Sequence, residues 1–253
     1  MADGGGKRAE MSFWEHLDVL RGSIIRVLTA VCALSCIGLA FKEPLFRLIL
    51  APADPDFFVY RLMGASFSME LINVDISAQF FVHLKASLAM GFILAFPYAI
   101  WELWRFIVPA LYPGERKAVG RTFLLSSGLF YLGAAVGYLI VLPFCVQFFM
   151  NYSVSPDITN AVTLRSYISM FSSLVLLMGI CFEFPSAIVL LSTLGVVDRP
   201  LLKRGRKYAF IVLLIVAAFI TPTGDPLSML LLAAPLYLLY ELSILLCSSQ
   251  KNP

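Results

Sequence analysis

The sequence has few charged residues for a water-soluble protein. Asp, Glu, Lys and Arg make up 14% of its 253 residues, whereas hydrophobic residues make up 60% and the mean hydropathy is +0.86. Soluble domains carry about 25% charged residues, so this chain lacks the charge that a water-facing surface requires. The shortage excludes an ordinary soluble globular protein and indicates a protein embedded in a membrane.

Residues that hold metals or catalyse hydrolysis are also scarce. The two histidines, His16 and His83, lie apart from any group of Cys or carboxylate residues with metal-ligand spacing. The chain has no G-x-x-x-x-G-K-[ST], G-x-S-x-G or H-E-x-x-H motif. The sequence therefore predicts no metal, no cofactor and no enzyme activity. The five cysteines all fall in apolar segments, which favours structural thiols: Cys32, Cys36, Cys145, Cys181 and Cys247.

Six apolar segments have lengths near that of a membrane-spanning helix. A helix rises about 1.5 Å per residue, so about 20 residues cross a hydrocarbon core about 30 Å thick. The fifth segment reaches only about 20 Å, so either it is not a true span or the bilayer thins around it. We expect the fifth and sixth helices to be short. The segments are Ile24–Phe41, Ile76–Trp101, Phe123–Asn151, Tyr167–Gly195, Tyr208–Ile220 and Pro226–Cys247.

Prolines inside four of these segments predict bent helices, since each removes a backbone donor. They are Pro97, Pro143, Pro185 and Pro235. The predicted fold class is all-α: a polytopic membrane protein with six transmembrane helices, several kinked at proline, in a concave arrangement. We expect a mobile leader at 1–11, a single six-helix membrane domain at 12–247 and a short cytoplasmic tail at 248–253.

The distribution of Lys and Arg predicts the orientation. If the N-terminus is cytoplasmic, 14 of the 19 Lys and Arg residues lie on the cytoplasmic side and 5 on the other. Cytoplasmic loops of membrane proteins carry an excess of these residues. The pattern predicts a multi-pass protein of the cytoplasmic (inner) membrane with both termini in the cytoplasm.

A separate helix on the cytoplasmic surface is predicted before the first span. Phe13, Leu17 and Leu20 share one face at helical spacing. Ser12 and Glu15 fit the capping box that starts a helix.

Glu183 is the only charged residue in the apolar run from Leu174 to Leu191. A charged side chain at the bilayer centre costs about 3 kcal/mol on insertion scales, and such residues usually serve function. Its carboxyl group either bonds, protonated, to a carbonyl freed by Pro185, or forms a polar site facing a cavity or partner. The second interpretation is favoured. An alternative function, a proton-coupled small-molecule transporter with Glu183 as carrier, would need a midplane site built from paired broken helices.

Seven stretches occur in order along the chain: FWEHLDVLR, APADP, WRFIVPALYPGER, LFYLGAAVGYLIVLP, FEFPSAIVLL, RKYAF and TPTGDPLSMLLLAAPLYLLYE. Together they resemble the TatC family, the multi-spanning core of the twin-arginine protein translocase. The resemblance implies binding of signal peptides that carry two adjacent arginines, and export of folded proteins driven by the proton gradient. It implies TatB and TatA, two single-span subunits, as partners in an oligomeric complex within the lipid bilayer. No nucleic-acid partner is expected.

The resemblance implies a signal-peptide site at the cytoplasmic face. Glu115 matches the family's signal-binding glutamate, Phe106 an aromatic residue beside it, and Arg21 the arginine of the N-terminal motif. Carboxylates suit the task because a guanidinium group pairs with them through two parallel hydrogen bonds. Glu115 has an alternative role in an ion pair with Arg116 or Arg121. Few other acids occupy this face: Glu10, Glu15, Asp18, Glu102 and Asp198.

The chain departs from the family at one position. The family usually reads H-L-x-E-L-R, but this chain reads HLDVLR, so Val19 occupies the place of a second signal-binding glutamate. Because valine cannot accept a guanidinium group, we hypothesise that the adjacent Asp18 takes over this role. Glu15 lies one turn from Val19, but its capping role competes. Otherwise the site relies on one carboxylate.

Four further residues match positions of family interest. Glu183 matches the family's intramembrane glutamate, which is associated with polar contacts to TatA or TatB helices. For Pro52 and Tyr138 packing is the favoured role, and for Asp225 the role is less defined.

Overall fold

The computed structural model describes residues 13–64, 69–107, 116–155, 160–193, 195–220 and 225–247. Most of them form ten α-helices, joined by a 3-10 turn at Ala51–Ala53, a π-helical segment at Gly137–Val141 and two short strands, β1 (Leu71–Ile72) and β2 (Val162–Thr163). The helices are α1 (Phe13–Ala40), α2 (Lys42–Leu50), α3 (Phe58–Met63), α4 (Ala78–Ile107), α5 (Arg116–Val136), α6 (Leu142–Asn151), α7 (Leu164–Phe182), α8 (Phe184–Thr193), α9 (Arg199–Ile220) and α10 (Pro226–Leu246).

Within the described ranges, five stretches are long and apolar enough to cross a membrane. They overlap five of the six predicted segments, and three of them extend beyond the predicted bounds: Leu17–Ala40, Ala78–Ile107, Leu125–Asn151, Leu164–Ser192 and Ser228–Leu246. The remaining region lies in α9. With 22 and 21 residues, α9 and α10 each reach about 30 Å and are not short as whole helices. Basic residues crowd the start of α9, however, so its apolar part is short.

The first helix is continuous, so the prediction of a separate surface helix before the first span is wrong. It runs from Phe13 to Ala40 without a break, because the segment around Gly22 contains no proline and a single glycine costs a helix only about 1 kcal/mol. Its 28 residues reach about 42 Å and exceed the hydrocarbon thickness. Ser12 and the side chain of Glu15 lie outside the described residues, so the capping box stays a prediction.

Close pairs of helices build the membrane body: α1 packs along α4, α5 along α7, and α9 along α10. Glycines allow the first two pairs to approach. A Cβ atom on Gly91 of α4 would lie 2.1 Å from Ser35 Oγ of α1, and one on Gly133 of α5 would lie 2.6 Å from the Met178 carbonyl oxygen of α7. In a bilayer the hydrophobic effect does not drive helices together, because lipid chains are as apolar as the side chains. Close packing through small residues stabilises the helix pairs instead.

Two of the four intramembrane prolines follow breaks in regular helix. The π-helical segment Gly137–Val141 ends two residues before Pro143. A proline ring crowds the carbonyl group four residues earlier, and a wider π turn relieves that clash. The second break, before Pro185, lies at a functional residue and is described below. Helices α4 and α10 continue through Pro97 and Pro235.

Tyrosine hydroxyl groups hold the end of α2 against the membrane body. Tyr167 of α7 donates a hydrogen bond to the Ile49 carbonyl oxygen at 2.8 Å, and Tyr138 of the π-helical segment donates to that of Leu48 at 2.7 Å. The last carbonyl groups of a helix have no partners within it. These two side chains supply partners, which gives Tyr138 a structural role.

The 3-10 turn is fixed in a similar way. Tyr60 donates a hydrogen bond from its hydroxyl group to the Pro52 carbonyl oxygen at 2.7 Å, and both residues are fully buried. Burial raises the pKa of the Tyr60 phenol above its ordinary value, so the hydroxyl group keeps its proton and remains a donor. Pro52 thus contributes a buried acceptor and packing surface.

The β-structure of the described ranges is limited to one small pairing. Strands β1 and β2 run parallel, with Leu71 opposite Val162 and Ile72 opposite Thr163. The pairing joins the segment before α4 to the segment before α7 and brings the starts of these two helices together.

Candidate functional site

An ion pair links α1 to α4 at their predicted cytoplasmic portions. Arg26 donates from Nε to Glu102 Oε1 at 3.0 Å and from Nη2 to Glu102 Oε2 at 2.8 Å. The Glu102 side chain is 3% exposed, whereas that of Arg26 is 45% exposed. Two parallel bonds between a guanidinium group and a carboxylate form a strong and directional pair. This contact therefore fixes the two helices to each other.

Neighbouring side chains complete the surroundings of this pair. Tyr98 donates its hydroxyl proton to Glu102 Oε1 at 3.1 Å, and Arg26 Nη2 also bonds Ser23 Oγ at 3.0 Å. Arg105 Nη1 lies 3.9 Å from Glu102 Oε1. Both carboxylate oxygens are therefore engaged by the chain's own donors. Sequence reasoning counted Glu102 among the cytoplasmic acids but missed its partner, because Arg26 lies 76 residues away.

The start of α1 presents the residues of the N-terminal motif. The side chains of Asp18, Val19 and Arg21 are exposed. Asp18 and Arg21 form no ion pair with any residue in the described ranges. Phe106 is partly buried near the end of α4. Glu115 and the side chain of Glu15 lie outside the described residues, so the structure brings together Asp18 and Arg21 on one helix but leaves their relation to Glu115 a prediction.

The intramembrane carboxyl group lies at a break in a span. Helix α7 ends at Phe182, Glu183 forms a turn, and α8 begins at the next residue. Glu183 Oε2 accepts hydrogen bonds from Ser126 Oγ of α5 and, at 2.6 Å, from Ser186 Oγ of α8. The carboxyl group thus bonds to serine hydroxyl groups rather than to a carbonyl group freed by Pro185. Sequence reasoning missed Ser126, which is 57 residues distant.

Comparison with known proteins identifies the family. A family model described as Sec-independent protein translocase protein (TatC) matches residues 15–235. The chain belongs to the TatC family. A TatC protein of Blattabacterium sp. subsp. Periplaneta americana is 37% identical over 94% of this chain and 95% of its own length. A TatC protein of Aquifex aeolicus is 35% identical over 93% of this chain and 94% of its own length.

Solved structures agree with the TatC assignment. A crystal structure of the twin-arginine translocase receptor TatC superposes with a TM-score of 0.78, at 35% identity, over 92% of this chain and 97% of that one. A second structure of TatC, in DDM, gives a TM-score of 0.80 at 34% identity over 92% of this chain and 100% of that one. The chain is therefore a helical, multi-pass protein of a bacterial membrane with the TatC fold, and it is a translocase component rather than an enzyme.

Asp225, which matches a TatC position of undefined role, caps a helix. Its Oδ1 atom accepts the Ser228 backbone N–H at 2.8 Å and so satisfies one of the free donors at the start of α10. Within the described ranges, no group of three or more His, Cys, Asp and Glu residues is placed to hold a metal ion.

Proposed function

We propose that this chain is the receptor and core subunit of a twin-arginine translocase. In this proposal Glu115 and Asp18 accept the two arginines of a signal peptide at the cytoplasmic face, with Arg21 and Phe106 beside them. Membership of the TatC family supports the receptor role. The observation that carries the assignment of Asp18 is its exposed carboxylate on α1, which forms no ion pair with any residue that the structure describes.

Internal ion pairs occupy two of the other acids predicted at the cytoplasmic face, which favours Asp18 as an acceptor for the signal peptide. Glu102 is occupied by Arg26, and Glu241 Oε2 lies 2.7 Å from Arg206 Nη2. An incoming guanidinium group would have to displace an internal one at either of these acids, whereas Asp18 requires no such exchange. Val19 offers no acceptor. Of the acids predicted on this side, the side chains of Asp18, Glu102 and Asp198 are described; Glu241 lies in the last two turns of α10, at the predicted cytoplasmic end of the last span.

Among the described acids of this side, Asp198 is also exposed and without a described ion-pair partner, but its surroundings disfavour a doubly charged cation. It immediately precedes α9, and the opening turns of this helix are strongly basic. Like charges within a Debye length of about 10 Å repel an approaching arginine pair. The cations are Arg199, Lys203, Arg204, Arg206 and Lys207.

The wider proposal places the chain in the cytoplasmic membrane with both termini in the cytoplasm. In an oligomeric complex with TatB and TatA, it exports folded proteins at the expense of the proton motive force. Glu183, with Ser126 and Ser186, is the polar intramembrane site for a helix of a partner subunit. Polar contacts between membrane helices contribute about 1 kcal/mol each. Contacts of this strength suit subunits that must both associate and dissociate. The concave arrangement of the six helices remains part of this proposal.

Binding of a twin-arginine peptide and of its twin-lysine version to membranes containing the full-length protein tests the proposal. Lysine cannot form the two-pronged bond, so we expect a strong preference for arginine. Asp18→Asn should weaken binding of the arginine peptide about fivefold, near the upper limit for an exposed charge pair. Asp198→Asn is the matched control and should have little effect.

Two outcomes would overturn parts of the proposal. Equal binding of both peptides would exclude a twin-arginine receptor. Unchanged binding by the Asp18→Asn variant, together with loss of binding by Glu115→Gln, would instead show that the site relies on one carboxylate.

A further inference from the structure

A cleft of about 390 Å³, lined by charged and apolar residues, opens between the starts of α4 and α7, on the side predicted to face away from the cytoplasm. Its volume lies within the range of about 300–1,000 Å³ that is typical of small-ligand sites. None of the residues proposed for signal-peptide binding lines it. Its walls include Asp75, Phe81, Val82, Lys85, Arg165 and Ser169.

Lys85 places a cation inside a membrane-spanning helix. It is the eighth residue of α4, about 10 Å along the helix from its start. Its ammonium group donates one hydrogen bond, from Nζ to Ser169 Oγ at 3.0 Å. In the described part of the chain, no carboxylate oxygen lies within 4 Å of it. An ammonium group has three donors, and a cation on a membrane-spanning helix is stabilised by a counter-ion, so this group favours an anion in the cleft.

Arg165, the second residue of α7, adds another cation to the same cleft. Its Nη1 atom lies 3.6 Å from Asp75 Oδ2, and both side chains are mostly exposed. This distance is too long for a strong hydrogen bond, and exposed pairs contribute little stability. The guanidinium fork therefore remains available to bind a phosphate group through two parallel bonds.

The lining combines this charge with apolar surface. The cleft is net positive, because its lining contains two cations, Lys85 and Arg165, and one acid, Asp75. Phe81, which is 61% exposed, forms part of the wall, and Phe80 beside it is 66% exposed. Neither ring has a protein neighbour covering it fully, and both lie on a helix that enters the membrane. A ligand with an anionic head and apolar chains matches these two surfaces better than a free inorganic anion does.

We propose that this cleft binds the phosphate group of an anionic phospholipid of the outer leaflet. Lys85 and Arg165 contact the phosphate oxygens, and the acyl chains lie along the exposed face of α4 beside Phe81. Basic pockets between membrane helices bind lipid head groups by the same combination of charge and depth. The inference concerns the external side and is independent of the receptor function.

Native mass spectrometry of the purified full-length protein in detergent, titrated with palmitoyl-oleoyl phosphatidylglycerol, tests the proposal. Each cation near an anionic lipid contributes about a fivefold change in affinity, so Lys85→Gln combined with Arg165→Gln should weaken binding about 30-fold. Lys42→Gln combined with Arg61→Gln is the matched control. It removes two external cations outside the cleft and should leave affinity near that of the wild type.

Two measurements on the unaltered protein make the test independent of how the variants fold. Palmitoyl-oleoyl diacylglycerol has the same chains without the phosphate group and should bind far more weakly than phosphatidylglycerol. Equal binding of the two lipids, or equal losses in the cleft and control variants, would overturn the proposal. Displacement of the lipid by inorganic phosphate at comparable concentration would identify a soluble anion as the ligand and overturn the lipid assignment.

Discussion

The hydroxyl group of Tyr167 donates a hydrogen bond to the carbonyl oxygen of Ile49, 118 residues earlier in the chain and 2.8 Å away. Both residues are almost completely buried. The acceptor lies in the last turn of α2, where a helix can no longer satisfy its own carbonyl groups. Together with the Tyr138 bond to Leu48, this side chain of α7 therefore anchors the segment that follows the first span.

Removing this hydroxyl group should destabilise the protein. We expect Tyr167→Phe to lower the free energy of unfolding by about 1–3 kcal/mol, because a buried carbonyl group is left without a donor. Denaturation of the purified protein in detergent, followed by tryptophan fluorescence, measures the change. Tyr152→Phe is the control, since Tyr152 is 60% exposed, and a comparable loss in both variants would contradict the role of the hydrogen bond.

The pair formed by Arg26 and Glu102 should show strong coupling between its members. Arg26→Ala leaves a buried carboxylate without its main partner. We therefore expect it to lower the free energy of unfolding, measured by the same denaturation, at least as much as Tyr167→Phe does. Replacing both members, by Arg26→Met with Glu102→Leu, should recover most of the loss because no charge is then left buried.

The matched control for this pair is Arg206→Ala, which breaks the more exposed pair with Glu241 and should change stability little. If the losses from the single variants Arg26→Met and Glu102→Leu simply add in the double variant, the two residues act independently and the prediction is wrong.

The close approach of α1 and α4 should depend on Gly91. An added Cβ atom would lie 2.1 Å from Ser35 Oγ and 2.8 Å from two backbone atoms of α1, so Gly91→Ala must push the helices apart. We expect a loss of about 1–3 kcal/mol, measured by the same denaturation. Gly128→Ala should be neutral or stabilising, because nothing lies within 4 Å of its added Cβ atom and alanine favours helix. A neutral Gly91→Ala variant would argue against the close packing.

The intramembrane site should act on assembly rather than on peptide recognition. We expect Glu183→Ala, and more weakly Ser126→Ala, to reduce export of a folded twin-arginine cargo several-fold in membrane vesicles while peptide binding stays within about twofold of wild type. The reason is that the partner helix loses its polar contact, whereas the proposed peptide acceptors are unchanged. An equal loss of export and binding would count against this separation.

Patterns local in the sequence predicted much of the helical framework. Apolar length located five spans and the shortened apolar part of α9, and the isolated charge in an apolar run drew attention to Glu183. The separate surface helix was wrong because a helix-like face before a span does not reveal whether the chain breaks between them. Only a breaker such as proline would have indicated a boundary near Gly22.

Contacts between distant residues account for what sequence could not predict. The partner of Glu102 is Arg26, and a partner of Glu183 is Ser126; in each case the two residues lie on different helices whose packing brings them together. No periodicity encodes which helices become neighbours. The two hydrogen bonds from tyrosine hydroxyl groups to the end of α2 could not be predicted for the same reason.

The turn at Glu183 has a mechanical consequence. Helix α7 packs mainly against α4 and α5, whereas α8 packs mainly against α10, which in turn packs along α9. One residue thus separates two sets of helix contacts within a single membrane crossing, while buried residues of α7, α9 and α10 share one hydrophobic core. A partner that altered the serine contacts of Glu183 would therefore act on both sets of helices at once.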